Sequence, residues 1–221
     1  MLTKTEKSFS LIFAIIVIAE LICGNIDSLS AFHYITKPLI LIALIIFFWK
    51  EGKHLKTQTK LITFLALIFS LFGDILLMFV NQSANFFIAG LLSFLLAHIM
   101  YILVFLKKKN NSNSALPFIG ISLIYAAGLF YFLLNGLGDL LIPVIIYMLV
   151  ILLMATTAFL RKGSVSKNSY ILVFLGALFF IFSDSLLALN KFYMPMPFSA
   201  ISIMITYSIA QLLIAFGIKK Q

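Results

Sequence analysis

The chain has 221 residues, of which 63% are hydrophobic and 10% charged, and its mean hydropathy is +1.16. A soluble domain of this length could not hide so much apolar surface, because small domains leave a large share of their surface exposed. Cys23 is the only cysteine, which excludes an intrachain disulfide and a cysteine-rich metal site.

Apolar segments long enough to cross a bilayer recur along the whole sequence. A bilayer core takes roughly 20 mostly apolar residues per helix, within a range of about 17 to 25. The sequence therefore predicts an all-α polytopic membrane helix bundle that forms a single membrane-embedded domain over residues 1–221. The second span is the shortest, and Trp49 suits its interfacial end. The eight predicted spans are 8–24, 35–49, 61–80, 86–106, 115–134, 139–160, 169–189 and 198–217.

The net charge of +9 is a topology signal, because 14 of the 16 basic residues flank the spans on one side. Only Lys37 and Lys191 fall on the other side. The positive-inside rule then predicts a multi-pass protein of the cell (inner) membrane with both termini cytoplasmic, and no nucleic-acid partner. The 14 residues are Lys4, Lys7, Lys50, Lys53, Lys56, Lys60, Lys107, Lys108, Lys109, Arg161, Lys162, Lys167, Lys219 and Lys220.

Residues 1–31 have an alternative interpretation as a cleaved signal peptide, because Ser28-Leu29-Ser30 resembles a small-residue cleavage site. The apolar stretch is long for that role. Cleavage would also remove the span that carries Glu20, so we predict an uncleaved first span.

Three acidic residues fall inside apolar helices: Glu20, Asp74 and Asp184. An ionised carboxylate at membrane depth costs about 2.5–3.5 kcal/mol on insertion scales, so it seldom persists without a use. Asp74 and Asp184 lie about 9 Å and 7.5 Å before the ends of two spans that run in the same direction. They are therefore predicted at nearly the same depth. Glu20 has no such counterpart, and a structural role suits it at least as well.

The surroundings of the two aspartates also match. Phe72–Leu77 and Phe182–Leu187 share the pattern Phe-small-Asp-x-Leu-Leu, and the aspartates are 110 residues apart. Because this offset corresponds to four spans, a duplication would give a parallel 4+4 internal repeat and could bring the carboxyls face to face. The alternative is that each aspartate pairs structurally with Lys37, Lys191 or a backbone donor.

Other polar residues recur at helical spacing. His98 is either a hydrogen-bonded packing residue or part of a site. His33 and His54 are predicted in loops on opposite sides, and one intramembrane histidine with two acids is a thin ligand set, so we predict no metal site. The residues that share helix faces are Gly90, Phe94, His98 and Tyr101 in the fourth span, Tyr207 and Gln211 in the eighth, and Ser70 with Asp74 in the third.

Six short motifs follow one another along the spans. They are Thr36-Lys37-Pro38, Ser70-x-x-Gly73-Asp74-x-x-Leu77, Gly90-x-x-x-Phe94-x-x-x-His98-x-x-Tyr101, Gly176-Ala177 with Phe179, Ser183-Asp184-x-x-Leu187 and Tyr207-x-x-x-Gln211. Taken in this order, over about residues 36–213, they make the chain resemble the YhhN-like family of integral membrane proteins, which includes the animal lysoplasmalogenases.

The resemblance implies a hydrolase that cleaves the vinyl ether bond of lysoplasmalogen, or of a related lysolipid, to fatty aldehyde and a glycerophospho-alcohol. Such a reaction would use Asp74 and Asp184 as acid and base and would need no cofactor. Two nearby carboxyls in low dielectric do not both ionise, so one can stay protonated as the acid while the other is charged. Residues that would bind or orient the substrate are Lys37, Ser70, His98, Tyr101, Ser183, Tyr207 and Gln211.

Two other functions use the same buried acids. A proton-coupled transporter or lipid-binding protein would carry protons or bind a cationic solute on them, and should open a path to the cytoplasmic side. A structural or assembly subunit would turn both aspartates outward toward partner helices. The substrate head group and the oligomeric state stay open at this stage.

Overall fold

The computed structural model describes residues 3–221, and this part of the chain is all-α with eight helices. Each predicted span corresponds to one helix, so the predicted fold class is confirmed. The helices are α1 Lys4–Cys23, α2 Ser30–Glu51, α3 Thr57–Leu77, α4 Ala84–Leu106, α5 Leu116–Leu133, α6 Leu141–Phe159, α7 Lys167–Phe192 and α8 Ser199–Lys219.

Seven of these helices, α2 to α8, are long and apolar enough to cross a bilayer. Helix α1 differs from them because Glu6, Lys7 and Glu20 interrupt its apolar sequence. The chain is therefore a multi-pass membrane protein with seven clear spans. That α1 makes an eighth stays a prediction.

The chain divides into two compact units. The N-terminal unit extends to Tyr101 and holds α1, α2, α3 and most of α4, and the C-terminal unit is Ile102–Gln221 with α5 to α8. The division falls in the last two turns of α4, near the midpoint at which the predicted repeat would divide the sequence. The repeat and the single membrane-embedded domain both stay predictions.

The second helix begins earlier than predicted, at Ser30, so the prediction that His33 lies in a loop is wrong. His33 Nδ1 lies 2.8 Å from Oε1 of Glu20, and the Thr36 hydroxyl donates to Glu20 Oε2 at 2.6 Å. Glu20 is only 3% exposed. These two partners account for its burial as a tie between α1 and α2, in agreement with a structural role.

In the C-terminal unit, α7 and α8 lie close together where glycines face the partner helix. A Cβ on Gly176 would come 2.9 Å from the carbonyl oxygen of Ala210, and one on Gly217 would come 2.8 Å from the backbone nitrogen of Val173. The Ser169 hydroxyl donates to the carbonyl of Gly217 at 2.6 Å. Small residues and hydroxyl donors of this kind drive helix association in lipid, where helices gain little from hydrophobic burial.

Arg161, counted above among the basic loop residues, is fully buried just after α6. Its guanidinium donates to Ser169 Oγ at 3.1 Å and to Gln221 Oε1 at 2.8 Å, and it lies 5.4 Å from the ring centre of Phe105. Burial lowers the pKa of Arg161 to about 10. The side chain therefore ties the end of α6 to α7 and to the end of the chain.

Candidate functional site

In the N-terminal unit, Asp74 lies on α3 and is 3% exposed. Ser70, one turn earlier on the same face, is fully buried, and its hydroxyl donates to the carbonyl of Ala66 at 2.9 Å. A serine bonded to the preceding turn of its own helix satisfies its donor locally. Ser70 thus lies one turn before Asp74 on the same face of α3, and its hydroxyl hydrogen is already bonded to the carbonyl of Ala66.

Gly90 and Phe94 of α4 have a packing role that the sequence did not reveal. A Cβ on Gly73 would come 2.6 Å from the ring of Phe94, and a Cβ on Gly90 would come 2.8 Å from the side chain of Leu77. The Ser93 hydroxyl donates to the carbonyl of Phe69 at 2.7 Å. These contacts bring α3 and α4 together at the level of Asp74.

His98 and Tyr101 are both fully buried on α4. The Nδ1 atom of His98 lies 2.6 Å from the carbonyl oxygen of Phe94. Because a carbonyl can only accept, Nδ1 carries the proton, and in the neutral imidazole Nε2 is then the acceptor. Lys37, on α2, is half-buried. Whether these three residues contact a substrate stays a prediction.

In the C-terminal unit, Asp184 lies on α7 and is half-buried. Tyr147 of α6 donates its phenolic hydrogen to Asp184 Oδ2 at 2.6 Å. This distance lies at the short end of the usual range for O–H···O hydrogen bonds. The carboxyl is therefore held in a fixed orientation by a neighbouring helix.

The residues that flank Asp184 are hydrogen-bonded as well. The Ser183 hydroxyl donates to the carbonyl of Ile203 on α8 at 3.1 Å. Tyr125 of α5 donates to Ser185 Oγ at 2.7 Å, and Ser185 donates in turn to the carbonyl of Ile181 at 2.7 Å. Three helices thus contact the turn of α7 that carries Asp184.

Tyr207 and Gln211 of α8 are buried together, with Gln211 Nε2 donating to the Tyr207 hydroxyl at 3.3 Å. The ring of Tyr207 packs edge-on against Phe180, at 5.6 Å between ring centres. The predicted shared face of these two residues is thus present. Their proposed role in orienting water stays a prediction.

A small cavity of about 50 Å³ adjoins Asp184 and Tyr147 within the C-terminal unit. Its other walls are apolar side chains of α5, α6 and α7, with Tyr125 and Ser185 as further polar members. A second cavity of about 270 Å³ lies beside it and shares Tyr125, Leu152 and Ile181 as walls. The carboxyl of Asp184 therefore stands at the edge of apolar space.

Sequence reasoning missed Tyr147, Tyr125 and Ser185. One signal was available, because Tyr147 follows Lys37 by 110 residues, the same offset that separates the two aspartates. Under the predicted repeat, Tyr147 is thus the counterpart of Lys37. Tyr125 and Ser185 carry no comparable signal in the sequence.

Within residues 3–221 no group of three or more histidine, cysteine, aspartate or glutamate side chains lies close enough to hold a metal ion. The helices define a polytopic α-helical membrane protein, and two of the helices long and apolar enough to span a membrane carry Asp74 and Asp184. The family model of the YhhN family matches residues 32–218, so the chain belongs to the YhhN family.

Curated relatives carry a more specific name. The chain is 36% identical over 156 residues to human lysoplasmalogenase TMEM86A, and 32% identical over 159 residues to the bovine protein, with 70% of this chain covered in each case. It spans 63% of the length of each of these two relatives. Human lysoplasmalogenase TMEM86B is 31% identical over 193 residues, which cover 86% of this chain and 77% of that protein. No solved structure is significantly similar to the chain.

Proposed function

We propose that this protein is a membrane hydrolase that cleaves the vinyl ether bond of lysoplasmalogen or of a related lysolipid. The observation that carries the proposal is Asp184, a carboxyl held by Tyr147 at 2.6 Å beside apolar space in a membrane helix. The names of the human and bovine relatives supply the substrate class.

The reaction needs a proton donor and a group that stabilises a cation. Protonation of the alkene carbon that is not bonded to the ether oxygen gives an oxocarbenium ion. Water then adds to the carbon bonded to the ether oxygen and loses a proton to a base. The resulting hemiacetal collapses, its hydroxyl proton is lost and the leaving oxygen is protonated. The products are a fatty aldehyde and a glycerophospho-alcohol. Glycoside cleavage divides these acid and base roles between two carboxyls in the same manner.

We assign the carboxylate role to Asp184 and the acid role to Asp74. Asp184 accepts a hydrogen bond from the Tyr147 phenol. A carboxyl that acts as an acceptor is suited to stabilise a cation and to take a proton from water. Asp74 is 3% exposed on α3, and burial suits a carboxyl that carries its proton until it is needed.

The direct test compares two lysolipids that differ in one bond. Purified protein in detergent is expected to release aldehyde from a 1-alkenyl lysolipid and none from the saturated 1-alkyl analogue, because only the alkene can be protonated to an oxocarbenium ion. Release from neither lipid, with a folded protein, would contradict the proposal and favour the transporter or lipid-binding alternative.

Tyr147→Phe is expected to lower kcat for aldehyde release by about tenfold to a hundredfold, with a smaller change in KM. The phenol bonds the carboxylate and not the lipid, and one hydrogen bond to a charged group is worth about 1.5–3 kcal/mol. Steady-state kinetics with the 1-alkenyl lipid check this result. Tyr131→Phe, at an exposed tyrosine of α5, is the matched control and should retain full activity. Equal kcat in Tyr147→Phe and wild type would remove Tyr147 from the mechanism.

A further inference from the structure

An apolar groove runs along α5 in the C-terminal unit, on the side that faces α6 and α7. Its volume is about 270 Å³, and its walls include Phe118, Ile121 and Ser122 of α5 and Leu178 and Phe182 of α7. Apart from the hydroxyls of Ser122 and Tyr125, these walls are hydrocarbon. No step of the proposed reaction uses this groove.

The groove opens sideways, toward the bilayer. Ile121 is 67% exposed and Phe182 is 52% exposed at its rim, on helices long and apolar enough to span a membrane. Water is scarce at that depth and gains nothing from hydrocarbon walls, whereas an alkyl chain fills such a space without loss of hydrogen bonds. The occupant suited to the groove is therefore a hydrocarbon chain.

The groove also adjoins the smaller cavity at the candidate carboxyl. Tyr125, Leu152 and Ile181 line both the groove and the smaller cavity that contains Asp184. Along α7, Asp184 lies six residues beyond Leu178, which is about 9 Å at 1.5 Å per residue. A chain in the groove thus has one end beside Asp184 and the other near Phe118.

We propose that this groove binds the hydrocarbon chain of the single-chain lipid substrate, with the head end at Asp184 and the tail toward Phe118. The inference rests on the proposed function, because that function makes the ligand a lysolipid. It adds the position and direction of the chain, and it makes α5 the element that selects chain length. The side chain of Tyr125, whose hydroxyl donates to Ser185 Oγ at 2.7 Å, forms the wall where the tail and head regions meet.

A binding measurement tests the groove without turnover. Trp49 is the only native tryptophan, so Trp49→Phe gives a silent background in which Phe182→Trp reports from the rim. The probe is a saturated 1-alkyl lysolipid, brominated along its chain, which the proposed reaction cannot cleave. Saturable quenching of the reporter is expected at low mole fractions of the probe.

The matched control for this reporter is Leu123→Trp in the same background. Leu123 is 52% exposed, as Phe182 is, and it lies about 200° around α5 from both Ile121 and Tyr125. Here quenching is expected to rise in proportion to the brominated lipid, without saturation, as for any lipid-facing residue. The same proportional rise at Phe182→Trp would mean that bulk membrane lipid covers the groove, and would overturn the inference.

Turnover supplies the second arm. Ile121→Trp adds bulk at the rim of the groove and should lower kcat/KM for a long-chain 1-alkenyl lysolipid about tenfold, while a short-chain substrate is nearly unaffected. Leu123→Trp should leave both substrates unchanged. Equal losses on both chain lengths would contradict a tail site.

The two proposals fail in different ways. If the wild type releases no aldehyde but the Phe182→Trp reporter saturates, the groove stands as a lipid site and the hydrolase proposal fails. If aldehyde is released but neither reporter saturates and Ile121→Trp has no chain-length effect, the hydrolase stands and the groove inference fails.

Discussion

Asp184→Asn is expected to lower kcat for aldehyde release by about 10²- to 10⁴-fold, the usual contribution of a positioned acid or base. The amide oxygen of asparagine still accepts the hydrogen bond that Tyr147 donates to Oδ2 in the wild type, so the packing around α6 and α7 is retained. In the proposed mechanism, the substitution removes the negative charge that stabilises the oxocarbenium ion and the base that takes a proton from water. Steady-state kinetics in detergent measure the loss.

Asp74→Asn should cause a loss of similar size for a different reason, since the amide cannot deliver a proton to the alkene. The double variant is informative, because groups that serve one step are not additive. If the two aspartates act together, the double variant loses little more than either single one.

Thermal unfolding of the same preparations separates lost chemistry from lost folding. Each single variant should unfold within a few degrees of the wild type, because Asn matches Asp in size. Full activity in a folded Asp184→Asn protein would contradict the assigned role of Asp184, and the same result for Asp74→Asn would contradict the role of Asp74.

The spans could be predicted from the sequence because a helix in lipid has to be apolar for about 20 residues, whatever it packs against. The positions of Asp74 and Asp184 were equally visible, since a carboxyl stands out in such a helix. The direction in which each side chain faces was not visible. Lipid is as apolar as leucine, so a large apolar side chain can face either lipid or protein.

Tyr147 illustrates that limit. In α6 it lies among isoleucine, methionine and leucine, and only the fold shows that its phenol meets Asp184. On α4, Gly90 and Phe94 recur at helical spacing with His98, as the sequence predicted. The structure gives these two residues a packing role against Leu77 and Gly73. Helical spacing identifies residues that share a helix face, but residues that pack against a neighbour and residues that catalyse have the same spacing.

Gly176→Ala is expected to lower the free energy of unfolding by about 1–3 kcal/mol, the usual cost of overpacking. The added methyl would come 2.9 Å from the carbonyl oxygen of Ala210 and 3.0 Å from the backbone nitrogen of Ile214. These are backbone atoms of a helix and cannot move aside singly, so α7 and α8 would have to separate.

The matched control is Gly128→Ala on α5, where no neighbour lies within 4 Å of the added Cβ. There alanine should raise the free energy of unfolding by up to about 1 kcal/mol, because glycine is the poorer helix former. The two substitutions are chemically identical, so their opposite signs isolate the contact between α7 and α8. That contact also adjoins the proposed site, because Ser183, the residue before Asp184, donates to the carbonyl of Ile203 of α8 at 3.1 Å. Equal stabilisation by both alanines, in unfolding followed by denaturant titration, would show that the two helices tolerate a wider spacing and that glycine at 176 serves another purpose.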